Sequence, residues 1–301
     1  ADPAVTLVSV LTGSVYHKEI CLAALKAGKG VICEKTLSDN PADAAIIARA
    51  ADKSGLFFAT AFMKRFIPAA KKAKELLTEM GPIISIHART WQPWNLWTQP
   101  LPESLAKLPS HLRRNQGGGV LNCAGSHIID LIHWIAGRPE KICGQMHVKK
   151  GMDIDIHSGA LMWLCGGGIV HFEACWHPLA FAGKFRDGWD EHVEINTVRG
   201  RLDIYTVTWN KPESNGALLV HHDASSGQTR ELRYHPANPF DAEISELVRL
   251  FRTGKPGQPS AWDGYVTDEI IAHITASAKQ NRVLQVKWRD AGHAEKQGRT
   301  K

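Results

Sequence analysis

The six cysteines, Cys21, Cys33, Cys123, Cys143, Cys165 and Cys175, form no C-x-x-C pair. The usual zinc-ribbon and thioredoxin-type spacings are therefore missing, and no metal site is expected. Most of these thiols lie in apolar stretches, where a free cysteine packs as a small hydrophobe. They read as residues of a reducing, cytoplasmic compartment. No apolar run approaches the ~20 residues of a membrane helix, and no signal peptide is visible. No membrane partner is expected. Internal repeats and low-complexity tracts are also missing. Charge of one sign is in short supply: 36 Lys and Arg face 30 Asp and Glu, a net charge of +6. The positive residues are scattered, apart from Lys71-Lys72 and the tail from Lys296 to Lys301. That fits a small anionic ligand or general solubility and argues against a nucleic-acid partner.

What is present suits two globular domains: 301 residues, 44% hydrophobic and 22% charged. Residues 5–11 (VTLVSVL), 30–33 (GVIC) and 56–61 (LFFATA) read as buried strands. Helices are expected between them, from 17 to 27 and after Asp39 or Asn40, with Pro41 in the first turn and Gly55 as the stop. A basic amphipathic helix follows over 68–80, ended by Gly81. Alternating strand and helix is the mark of a parallel α/β sheet. Beyond residue 81 the pattern changes. Residues 83–91 alternate like a half-buried strand, and 92–116 form a long Pro- and Trp-rich loop of the length that is usually functional. A helix is expected over 124–136. Strands are expected near 142–149, 155–164, 169–177, 191–197, 201–207, 217–221 and 229–234. Asn215-Gly216 is a hairpin signal, and Gly166-Gly167-Gly168 reads as a second hairpin. Helices over 240–253 and 263–279 and a strand near 283–288 close the chain. The fold class is therefore α/β plus α+β: a partial parallel domain over 1–81, an open-faced, mainly antiparallel domain over 82–290, and a disordered tail over 291–301.

Three places can carry chemistry. Thr12-Gly13-Ser14 ends the first strand and feeds a helix, a position that suits a phosphate or serves as a plain Ser-capped turn. Glu34-Lys35 ends the second strand in the same layer. Lys35 can reach a substrate hydroxyl or stand at the surface. Residues 117–130 (GGGVLNCAGSHIID) place His127 near a helix start, one turn from Asp130. Such a histidine can act as a general base or sit at the core edge. Gly28-Lys29-Gly30 resembles part of a dinucleotide fingerprint, but it follows a helix and precedes a strand, the reverse of the required order. No G-x-G-x-x-G stands in the right context. Trp91, Trp94 and Trp97 could stack on a sugar ring or form a local hydrophobic plug.

Together these segments resemble the Gfo/Idh/MocA oxidoreductases, the glucose–fructose oxidoreductase and inositol dehydrogenase family. Residues 12–37 (TGSVYHKEICLAALKAGKGVICEKTL) are similar to its T-P-x-x-x-H…A-G-K…E-K-P-L run. Arg65-Phe66-Ile67-Pro68 matches R-F-x-P, and residues 117–130 match the glycine-rich element except at one position. Pro259-Ser260 and Asp263-Gly264 match a late element. The resemblance spans residues 1 to 288. It implies a Rossmann domain for NAD or NADP and an open-sheet domain for a sugar or polyol substrate and for homo-oligomer contact, as a dimer or tetramer. By the same resemblance Lys35 would steer the substrate hydroxyl and His127 would take its proton. Thr12, Ser14, His17 and Glu34 would line the cofactor side with Lys35. Cys123 would join His127 around the substrate, and Arg65 and Asn122 would bind the substrate or support its pocket.

Three departures bear on that expectation. The opening strand and glycine loop of the family have no counterpart here, so roughly 60–75 residues are expected to be absent. An amino-terminally truncated chain with weak cofactor binding is the consequence. The family's Asp in the glycine-rich element is Cys123, and a thiol is a weak hydrogen-bond partner. Asn122 or Asp130 could take part of its role. Thr36 replaces a proline, and a cis bond before a non-proline residue costs ~3–4 kcal/mol, so a trans bond is expected. The leading expectation is an NAD(P)-dependent sugar or cyclitol oxidoreductase. A non-catalytic sugar-binding or assembly protein with a decayed site is the alternative.

Overall fold

The computed structural model describes residues 2–101, 109–209 and 211–290. The expected tail over 291–301 and the middle of the Trp-rich loop lie outside the described residues. Strands β1 (Leu7–Val10), β2 (Gly30–Glu34) and β3 (Phe58–Ala61) form a parallel three-stranded sheet in that order. Helices α1 (His17–Lys26) and α2 (Pro41–Ser54) connect them. Asn40 caps α2 through the Ala42 N–H at 2.9 Å, and Gly55 ends it at φ 64°. An asparagine oxygen satisfies a free helix donor, and glycine tolerates the left-handed turn.

Helix α3 (Pro68–Leu77) stops at Thr78, short of Gly81, because the Thr78 hydroxyl donates to the Glu75 carbonyl at 2.7 Å. It packs against strands of the second sheet. Among the described residues that sheet has nine strands: β4 (Ile83–Gln92), β5 (Pro139–Val148), β6 (Asp155–Leu164), β7 (Ile169–Trp176), β8 (Asp190–Thr197), β9 (Gly200–Tyr205), β10 (Leu218–Asp223), β11 (Thr229–Arg233) and β12 (Leu284–Gln285). Their order is β11-β10-β9-β8-β4-β7-β6-β5-β12. Only the β4–β7 pair is parallel. The 166–168 glycines do turn β6 into antiparallel β7. Asn215-Gly216 is not a hairpin turn. It lies late in the long connection between β9 and β10, where Gly216 passes so close to Tyr234 that a Cβ would sit 1.6 Å from its carbonyl oxygen. The expected last strand shortens to two residues.

Helix α4 (Ser126–Ala136) begins with a π-helical turn, Leu121–Gly125. Such turns often mark functional sites. Helices α5 (Pro239–Arg252) and α6 (Ala261–Gln280) return to the first sheet. Leu247 and Leu250 of α5 pack with Ile32, Ala59 and Phe66, and α6 packs on α2, α4 and β5. The two sheets thus share one apolar core. No helix among the described residues is long and apolar enough to cross a membrane.

Two consequences are measurable. Gly144 of β5 lies against α6, where a Cβ would stand 2.4 Å from the Ile274 carbonyl oxygen. Gly144→Ala is expected to lose about 1–3 kcal/mol in urea unfolding, and an unchanged midpoint would refute this packing. Glu243 of α5 is 2% exposed, with Oε1 unpartnered among the described residues. Burial, then Glu34 and Asp130, push its carboxyl up to about 8. The folded state therefore holds this proton more tightly than the unfolded chain, and stability falls as pH rises from about 4.5 to 8. Glu243→Gln should flatten that fall and stabilise the protein at pH 7 by roughly 1–3 kcal/mol.

Candidate active site

The carboxyl ends of β2, β3, β4 and β7 point toward one another, and a cavity of about 300 Å³ lies where they meet. Ligand sites in α/β sheets form outside such strand ends. Glu34 and Lys35 come from the end of β2, and Met63 and Lys64 follow β3. Gln92 and Trp176 are paired neighbours at the ends of β4 and β7. Cys123 and His127 enter from the π turn and α4.

Lys35 is fixed by backbone oxygens. Its ammonium donates to the Cys123 carbonyl at 2.7 Å and to the Asn122 carbonyl at 3.4 Å. An ammonium has three N–H bonds, so one stays available. His127 packs edge-on to Phe62 at 6.3 Å, and its buried Nδ1 has no partner among the described residues. Burial, with the nearby charges of Lys35 and Lys64, holds its pKa well below the ordinary histidine value. The ring is neutral at pH 7, so it can accept a proton.

Beneath them Lys64, 2% exposed, pairs with Glu191. Burial alone would raise the Glu191 carboxyl. The Lys64 charge and hydrogen bonds from Thr90 and Thr206, at 2.6 and 2.7 Å, outweigh it and hold the group ionised. Trp94 stacks on Trp176 at 5.5 Å and 15°, with His111 edge-on to Trp94 at 4.5 Å. Trp209 and Phe240 stand half-exposed at the mouth.

Of the residues expected from sequence, this cavity collects Glu34, Lys35, Cys123 and His127. Thr12 is exposed, and its carbonyl faces His17 Nε2 at 2.8 Å. His17 is fully buried and also holds the Thr36 carbonyl through Nδ1 at 3.0 Å. It ties together the exits of β1 and β2 instead of meeting a ligand. Ser14 is buried against Gly117, where a Cβ would come 2.3 Å from its hydroxyl. Asn122 turns its amide to the carbonyls of Gly117 and Gly118 and lines a different cavity beside residues 36–39 and α6.

Arg65 lies outside the cavity, so of its two expected places it does not take the one that lines the substrate. Its guanidinium grips Asp130 with two bonds of 2.8 and 2.6 Å and Asp263 with one of 3.0 Å. Asp130 is thereby spent and does not assist His127. Among the described residues the Cys123 thiol has a distant contact, 3.9 Å to the His111 carbonyl, and burial pushes its pKa up. The Lys35–Thr36 bond is cis, against expectation, with the Thr36 carbonyl fixed by His17. Sequence reasoning missed Lys64, Glu191, Gln92, His111, Trp176, Trp209 and Phe240. They come from separate segments with no motif. Of the three loop tryptophans, Trp94 lines the cavity, Trp97 stacks on His147 and Trp91 packs near His177.

Residues 1–62 match a family model described as "Oxidoreductase family, NAD-binding Rossmann fold". Residues 70–203 match the GFO/IDH/MocA C-terminal domain. An inositol 2-dehydrogenase of Acidothermus cellulolyticus is 26% identical over 275 residues, covering 88% of this chain and 71% of the relative. The oxidoreductase domain protein of Kribbella flavida superposes with a TM-score of 0.78 at 25% identity, covering 94% of this chain and 80% of that one. A levoglucosan dehydrogenase in complex with NADH and levoglucosan superposes with a TM-score of 0.79 at 21% identity, covering 95% and 81%.

The Arg65 contacts can be tested by stability. Arg65→Met strands the buried Asp130 carboxylate, and unpairs the part-exposed Asp263, and should cost about 3–5 kcal/mol in chemical denaturation. Arg65→Lys should recover only part, because an ammonium cannot grip Asp130 bidentately.

Proposed function

The chain belongs to the GFO/IDH/MocA family of NAD-binding oxidoreductases, and on that footing we propose that it moves a hydride between NAD(P) and a ring hydroxyl of a sugar or cyclitol. One observation carries this reading: a neutral His127 and the Lys35 ammonium share one cavity at the strand ends. The residues present fit the redox end of a dinucleotide. The unpartnered His127 nitrogen, the spare Lys35 N–H and the exposed Thr12 turn all lie at the carboxyl side of the parallel sheet. When bound, the cofactor supplies the hydride acceptor.

The protein's own residues handle the proton. Lys35, clamped by two carbonyls, donates its free N–H to the reacting oxygen and holds the carbon in line. His127 accepts the hydroxyl proton as the carbonyl forms. Lys64 and Lys35 favour its neutral form, and the aromatic walls keep water away from the reacting bond. Positioned groups of this kind contribute about 10²–10⁴-fold. The six cysteines are unpaired, which supports a cytoplasmic setting.

Lys35→Met and His127→Ala are each expected to lower kcat by about 10²–10⁴-fold in an NAD(P)H absorbance assay, with the fold retained. Cys123→Ala should stay within about threefold, because the carbonyl of Cys123 holds Lys35 and its thiol does not. The acid limb of kcat/KM for oxidation should lie below the ordinary histidine value. Lys64→Met should move it upward by removing a positive charge. Full activity in both Lys35→Met and His127→Ala would overturn the assignment.

A further inference from the structure

We propose that the cavity beside residues 36–39 and α6 is a second ligand site, one that takes a small organic ammonium ion on Asp268. This does not rest on the hydride-transfer reading.

The cavity is large, about 820 Å³, and it adjoins the first. Thr36 and Asn122 border it, while their chain neighbours Lys35 and Cys123 border the other. Lys35, His127 and the Thr12 turn are not among its walls. One wall is a stripe of α6. Asp268, Ile271, Ala272, Thr275 and Lys279 recur at steps of three and four residues, so a single helix face looks into the space.

This wall carries a buried acid with no matching cation. Asp268 is 3% exposed. Its Oδ2 accepts the Ser38 N–H at 2.7 Å, and its Oδ1 has no partner among the described residues. Burial, reinforced by the negative charges of Asp39 and Glu269, pushes its carboxyl well above the usual range, and the Ser38 and Leu37 N–H groups offset only part of this. Asp155, the other buried acid of the cavity, is served by the Leu121 N–H and the Ser158 hydroxyl, both on Oδ2, at 2.9 and 2.7 Å. The cations of the lining, Arg114 and Lys279, are exposed at the rim, where Asp39 and Asp153 face solvent with them.

A buried carboxyl with one oxygen unpaired and only like charges around it is costly, and an ammonium ion relieves both defects. It brings the missing charge and three N–H donors. Among the described residues no group of three or more metal-ligating side chains stands together, which favours an organic cation over a metal ion. The chain as a whole carries a net charge of +6, so it does not attract cations in general. Any preference for one comes from the local carboxyl.

Butylamine and butanol have the same carbon chain and differ in an ammonium for a hydroxyl, so they isolate this point. Binding to the full chain is followed by ligand-observed NMR titration in phosphate buffer, which holds no competing amine. Butylamine should bind at least about tenfold more tightly than butanol. Asp268→Asn keeps an oxygen for the Ser38 N–H and removes the charge, so it should abolish that preference. Ala272→Leu narrows the cavity from α6 without touching the carboxyl and should weaken butylamine at least about tenfold, which keeps the test alive if Asp268→Asn fails to fold. His127→Ala should bind butylamine as the parent chain does. Equal binding of the two probes overturns the proposal, as does no binding of butylamine at millimolar concentration. Loss of binding in His127→Ala overturns it too, as does an unchanged butylamine affinity in both Asp268→Asn and Ala272→Leu. Hydride transfer is read separately, by NAD(P)H absorbance. Amine binding without turnover sustains this site and sinks the redox reading, and turnover without amine binding does the reverse.

Discussion

The Arg65 guanidinium stands where three separate parts of the chain meet. It belongs to the short 3-10 turn after β3, Asp130 lies on α4, and Asp263 caps α6. Asp263 is fully used, with one oxygen on Arg65 and the other on Ser260. Burial would raise the Asp263 carboxyl, and the Arg65 charge reverses this and holds it far below the usual range. None of these charges survives burial alone. The arrangement therefore fixes the 63–66 turn, α4 and α6 relative to one another. Lys64 is the residue before Arg65, and His127 lies one helical turn before Asp130. The positions of both side chains therefore follow from an ion cluster that lies outside the cavity.

The cavity has an electrostatic division of labour. Two lysines approach one histidine, and each is restrained by a different device. Lys35 is held by main-chain carbonyls, which leave its charge unneutralised. Lys64 is matched by Glu191, whose own charge is stabilised by two threonine hydroxyls. The result is an imidazole kept unprotonated within a positive surround. The aromatic walls reinforce this by excluding water, which would otherwise screen these interactions.

Much of the frame was legible in sequence because it is written locally. Strand–helix alternation over the first part, the Asn40 cap with Pro41, the Gly55 stop and the 166–168 turn depend on neighbouring residues. Glu34-Lys35 and Cys123 to His127 were legible as segments, since each occupies a run of residue types with recognisable spacing. Arg65 shows where this fails. Its motif is local, but its partners lie 65 and 198 residues away, and only they decide that it braces the site and does not line it. Glu191 and Trp176 carried no signal, because an isolated strand residue does not reveal what stands opposite.

The sequence by itself determined the fold class, the order of elements and two of the segments that meet at the cavity, since backbone propensity and hydrophobic period act over a few residues. The tertiary structure alone decided which side chains share the cavity, which are spent on one another, and in what protonation state His127 is held. Those depend on burial and on charges brought together from distant segments, and a pKa or a hydrogen-bond count exists only once that assembly is complete.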